Sequence, residues 1–69
     1  MLIGKEVSVK DTGLRGTVID ETKNTLVVES VGKSKRIIKD KNRFVVYENG
    51  IEKKIRGEEI NLRPWEYAI

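Results

Sequence analysis

Apolar and polar positions alternate along this chain in short stretches that break at turn residues and then restart. In "KEVSVK" Val7 and Val9 alternate with polar neighbours, the period-two pattern of a strand with one buried face, which predicts a first strand over residues 5–10. "DTGLRG" follows as a turn, and "RGTVIDE" rises as a second strand centred on Val18 and Ile19. "ETKN" then reverses the chain, with Asn24 expected in the left-handed conformation that tight reversals often demand. "TLVVES" predicts a third strand, with Leu26 and Val28 on one face and Val27 on the other. "VGKS" is the next turn. The fourth strand, "KRIIK", turns Ile37 or Ile38 inward while Lys35, Arg36 and Lys39 flank it, so its solvent face is expected to be strongly basic. "DKN" interrupts the pattern, "RFVVYE" makes a fifth strand with Phe44 in the core, and Asn49-Gly50 is a strong hairpin signal before "IEKKIR".

Six short strands without helical periodicity between them predict an all-β antiparallel meander, and so small a sheet most easily protects its edges by curling into a barrel. The 69 residues suffice for one small domain, which would bury about 60% of the surface its unfolded chain exposes. We assign the barrel core to about residues 4–60 and a short tail to 61–69. In the tail, "PWEYAI" is expected to begin a helical turn with Pro64 at its first position, or to lie against the barrel through Trp65.

Composition narrows the chemistry. No apolar run approaches the roughly 18 residues of a membrane span, and "MLIGKEVSV" lacks the apolar stretch of a secretory signal, so no membrane association and a cytoplasmic location are expected. There is no cysteine and no histidine, which removes disulfides, thiolate metal sites and the side chain best poised for proton transfer near neutrality. Asp20-Glu21 and Glu58-Glu59 are adjacent acidic pairs, but neighbours on a strand point to opposite faces and do not converge on one metal or water. No catalytic residue, metal site or cofactor is expected. The net charge is +3, and its distribution says more than its total. Residues 31–43 hold Lys33, Lys35, Arg36, Lys39, Lys41 and Arg43 against Asp40 alone, whereas the flanking segments each carry one more acid than base. A local surplus of this kind suits a polyanion.

"LIGKEVSV", "GLRGTVIDETKNTLVVE", "KSKRIIKDKNRFVV" and "RGEEINLRP", in that order, resemble the archaeal and eukaryotic ribonuclease P protein component 1 family over essentially the whole chain. The specific part is "RGTVIDETKNTLVVE". The resemblance implies an Sm-like, SH3-like six-stranded barrel. Its implied role is that of an RNA-binding, non-catalytic subunit of the ribonucleoprotein that removes 5′ leaders from tRNA precursors. It further implies the ribonuclease P RNA, precursor tRNA and a small zinc-binding protein subunit as partners. Family members often carry an N-terminal helical extension that contributes to the partner contact, whereas here the first strand begins within a few residues of Met1. Trp65-Glu66-Tyr67 replaces the acidic run that commonly follows the "RP" motif, so contacts of the tail carry over only to Arg63 and Pro64.

Candidate RNA-contacting residues follow from the charge and the resemblance together. Lys23 and Asn24 occupy a hairpin tip, where Sm-like folds present polar groups to RNA; Asn24 could equally serve the turn alone. Lys35, Arg36, Lys39, Lys41 and Arg43 would contact phosphates, unless they form only a solvated face that blunts a sheet edge. Arg15, at a strand entry, could donate two hydrogen bonds to one phosphate, or pair with Asp11 or Asp20. Arg63 is carried over from the family motif. Tyr47, Trp65 and Tyr67 could stack on bases but are too scattered in the sequence to make an evident platform. The isolated protein is expected to be a monomer. Two other readings compete: an SH3-like protein-interaction module, and a ribosome-associated or ring-forming Sm-type RNA-binding protein.

Overall fold

The computed structural model describes residues 1–68. One antiparallel sheet holds β1 (Glu6–Val9), β2 (Arg15–Glu21), β3 (Thr25–Ser30), β4 (Lys33–Ile38), β5 (Arg43–Glu48) and β6 (Ile51–Arg56), in the spatial order β4-β3-β2-β1-β5-β6. Two 3₁₀ turns follow at Gly57–Ile60 and Pro64–Glu66, and among the described residues no helix is long and apolar enough to cross a membrane. The expected all-β, six-stranded barrel with a short tail is what forms.

Alternation decides which side chains meet. Val7, Val9, Leu26, Val28, Ile37, Phe44 and Val46 share the inner face with Val18, and Leu2 and Ile60 cap them. Cross-strand register puts Val7 opposite Val46, Val9 opposite Phe44 and Leu26 opposite Ile37. These pairs are the apolar contacts that hold the sheet in its curled form. The outer edges meet where β6 ends: a Cβ on Gly57 would lie 1.4 Å from the Lys39 carbonyl oxygen, so only glycine lets the end of β6 close over the end of β4. Gly16 permits a similar approach of β2 to the Glu29 carbonyl, where a Cβ would lie 2.1 Å away.

A bulge in β2 redirects a carboxylate. Val18 faces Val28, but the next pair is Asp20 with Val27, leaving Ile19 as the extra residue. Val18 and Glu21 both point inward as a result, although strict alternation would have placed Glu21 outside.

Two expectations are corrected here, and one of the two alternatives for the tail is decided. The reversal after β2 does not use a left-handed Asn24: among the described residues, the non-glycine ones with positive φ are Val31 (50°) and Asn49 (53°), each before a glycine. The turn is closed instead by threonines, with the Thr22 amide donating to the Thr25 carbonyl at 2.9 Å and the Thr25 amide to Thr22 Oγ1 at 3.1 Å. The solvent face of β4 is not uniformly basic, because Lys35 lies on the same side as Ile37, opposite Val28, while Arg36 points the other way, opposite Val27. In the tail, Pro64 does open a helical turn, yet Trp65 is 78% exposed and Tyr67 is the aromatic that packs on the core.

Candidate nucleic-acid interface

Lys39 is the first residue to settle, because it leaves the surface altogether. It continues the inward parity of Ile37 and is 0% exposed. Its Nζ donates to Glu21 Oε2 at 2.8 Å and to the Leu62 carbonyl at 2.9 Å, and lies 5.4 Å from the Tyr67 ring centroid. Glu21 also accepts from the Leu2 amide at 2.8 Å and from the Tyr67 hydroxyl. Burial pushes the Glu21 carboxyl upward, but hydrogen bonds from Lys39, Tyr67 and the Leu2 amide outweigh it and hold the group below its ordinary range. Burial, then the neighbouring carboxylate, pushes the Tyr67 phenol far above its ordinary value. A buried ion pair completed in this way is a structural tie between both ends of the chain and the sheet. The assignment of Lys39 to RNA contact is therefore withdrawn: 0% exposed and bonded to Glu21 and the Leu62 carbonyl, it presents no donor to solvent.

The remaining cations of the 31–43 window are exposed. Lys33, Lys35, Arg36 and Lys41 make no ion pair with any described residue, whereas Arg43 Nη2 donates to Asp11 Oδ1 at 3.1 Å. Lys23 stands exposed at the β2–β3 tip and makes no ion pair with a described residue. Its neighbour Asn24 turns to structure, donating from Nδ2 to Asn61 Oδ1 at 2.9 Å and accepting the Lys39 amide at 2.8 Å. That contact ties the tip to the tail that carries Arg63, whose exposed guanidinium lies 6.0 Å from the Trp65 centroid.

Arg15 pairs with neither Asp11 nor Asp20. Its Nε donates to Glu6 Oε2 at 2.6 Å, across the β1–β2 pair, and its guanidinium lies 4.1 Å from the Tyr47 centroid. The Glu6 hydrogen bond raises the Arg15 pKa. Arg15 is thus held over an aromatic ring and beside a carboxylate, with its side chain still 56% exposed.

Register assembles a second cationic group that residue order conceals. The Lys10 amide bonds the Arg43 carbonyl at 2.8 Å, and Arg43 faces Arg56 across β5 and β6. Lys54, two residues from Arg56, shares its face. Two concave depressions of about 230 and 250 Å³ share Arg43 and Arg56 in their walls; Lys41 enters the first, Lys10 and Lys54 the second. Positions 10, 43, 54 and 56 belong to three strands or their ends, and only the strand pairing, readable in principle from the turn positions, could have united them. Among the described residues, no three carboxylates converge as a metal-binding group.

Fold and surface define the class: a small β-barrel whose exposed cations on β4 and adjoining turns lack carboxylates to neutralise them, a surface suited to a polyanion. Residues 2–68 match the family described as Ribonuclease P/MRP, subunit p29, and the chain belongs to that family. It is 37% identical over 54 residues to Ribonuclease P protein component 1 of Archaeoglobus fulgidus, an alignment covering 78% of this chain and 53% of that protein. The chain thus spans about half the length of the curated relative it matches.

Proposed function

We propose that this protein is a non-catalytic, RNA-binding subunit of ribonuclease P, and that it supports the catalytic RNA in removing 5′ leaders from tRNA precursors. Its partners in this reading are the ribonuclease P RNA with bound precursor and the other protein subunits, among them the small zinc-binding one. The observation that carries the reading is the set of exposed, unpaired cations Lys23, Lys33, Lys35, Arg36 and Lys41 on a member of this family. Their role is electrostatic positioning: each lysine or arginine that meets a phosphate releases counterions and lowers the repulsion between RNA segments that must approach.

Reconstitution tests the proposal. The catalytic RNA and the remaining subunits are assembled with wild-type protein, with K33Q/K35Q/R36Q, or with neither, and leader removal is followed at low magnesium. The wild type should raise cleavage, and the triple variant should lose most of that gain. Equal cleavage in all three assemblies would refute the role. Cleavage of the precursor by the purified protein alone would replace it with that of an independent nuclease.

A further inference from the structure

We infer that the cleft between Arg43 and Arg56 is a distinct RNA-backbone site, which takes phosphodiester oxygens at the β1–β5–β6 end of the sheet, apart from the β4 cations. This inference rests on the RNA-binding reading above and adds Lys10, Lys54 and Arg56 to it.

Two arginines directly opposite one another on antiparallel strands repel, and a sheet gains nothing structural from the arrangement. Here each bonds different carboxylates. Arg43 uses Nη2 on Asp11 at 3.1 Å, and Arg56 uses Nε on Glu59 at 3.1 Å and Nη1 on Glu58 at 3.5 Å. The Glu59 hydrogen bond raises the Arg56 pKa. Among the described residues, Nε and Nη1 of Arg43 and Nη2 of Arg56 make no hydrogen bond, and both side chains are more than half exposed. Lys10 and Lys54 in the same wall make no ion pair with a described residue.

Paired guanidiniums in a concave wall, each keeping N–H donors that the rim carboxylates do not use, match a tetrahedral anion that accepts from both and removes their mutual repulsion. The carboxylates on the rim do not block this. Exposed ion pairs hold weakly and exchange readily. Asp11, Glu58 and Glu59 therefore act as competitors of the phosphate, so removing them should tighten binding.

Side-chain NMR of the full chain, following the Nε–Hε signals of Arg43 and Arg56, tests the inference. An unstructured oligouridine is titrated, and inorganic phosphate at equal phosphorus concentration serves as the comparison. The oligonucleotide should move both signals to saturation, with phosphate moving them far less. R43Q/R56Q should weaken RNA binding several-fold while its amide spectrum stays folded, and E58Q/E59Q should tighten it, whereas E29Q on the β3 face should change it less. If amides near Lys33, Lys35 and Arg36 shift with RNA while the Arg43 and Arg56 signals stay still, the cleft assignment fails and the proposed function stands. Equal shifts from inorganic phosphate would make the cleft a free-anion site and overturn the RNA assignment. If RNA moves no signal anywhere, both readings fail together.

Discussion

Replacing Lys39 by methionine should remove most of the stability of this protein while leaving its exposed cationic surface intact. The substitution keeps side-chain length and apolar volume but takes away the cation 2.8 Å from Glu21 Oε2. The carboxylate is then left buried with only the Leu2 amide and the Tyr67 hydroxyl as donors. Breaking one side of a buried pair costs about 3–5 kcal/mol, and a domain of this length has a total of roughly 3–10 kcal/mol to lose. At a urea m-value of roughly 1 kcal/mol/M, the midpoint should fall by about 3–5 M. Far-UV circular dichroism gives the titration, with TMAO added if the variant lacks a folded baseline. K39M/E21Q removes the orphaned charge and should recover at least about 1 kcal/mol relative to K39M. The pH dependence reverses too. In the wild type the Glu21 carboxyl is held below its ordinary 4.5, so its contribution is full above that value and is lost as pH falls through the folded one. In K39M burial prevails and the folded value rises above 4.5, so the variant should gain on the wild type as pH falls toward that value. Stability within about 1 kcal/mol of wild type, or loss of RNA affinity in a fully folded K39M, would refute the burial of Lys39.

Val31 sits at φ 50° and is 97% exposed, so V31N should relieve left-handed strain and raise stability by about 1 kcal/mol, seen as a higher thermal midpoint; an unchanged or lower midpoint would contradict the turn geometry. G57A should cost roughly 3 kcal/mol in the urea titration, because its Cβ would overlap the Lys39 carbonyl; a neutral effect would mean that the β4 and β6 ends do not close there. The Tyr67 phenol, held protonated by burial and Glu21, contributes stability that is full below the ordinary tyrosine value of 10.0 and is lost as pH rises beyond it. Y67F should therefore lose less stability than wild type between pH 9 and 11.

The strands were readable because alternation and turn chemistry agree locally. "EVSV" and "TLVVES" became β1 and β3, and Asn49-Gly50 made the hairpin it signals. The fate of Lys39 was not readable. Its inward parity follows from Ile37, but a lysine is buried only when a partner waits inside, and that partner, Glu21, faces inward through the bulge at Ile19. Nothing in "RGTVIDE" marks where an extra residue enters the ladder. The Arg43–Arg56 pairing escaped for a related reason: charge counted along a window misses residues that register brings together across strands. Lys35 and Arg36 show the converse, being adjacent in sequence and placed on opposite faces of β4.

Affinity for the cognate RNA measured across a salt series asks most directly whether this barrel holds RNA by its backbone. The logarithm of the binding constant should fall steeply and linearly with the logarithm of salt concentration, and K33Q/K35Q/R36Q should flatten that slope by about 2, at roughly 0.7 for each single-strand phosphate that is no longer neutralised. An affinity indifferent to salt, or a slope that survives the triple substitution unchanged, would contradict it.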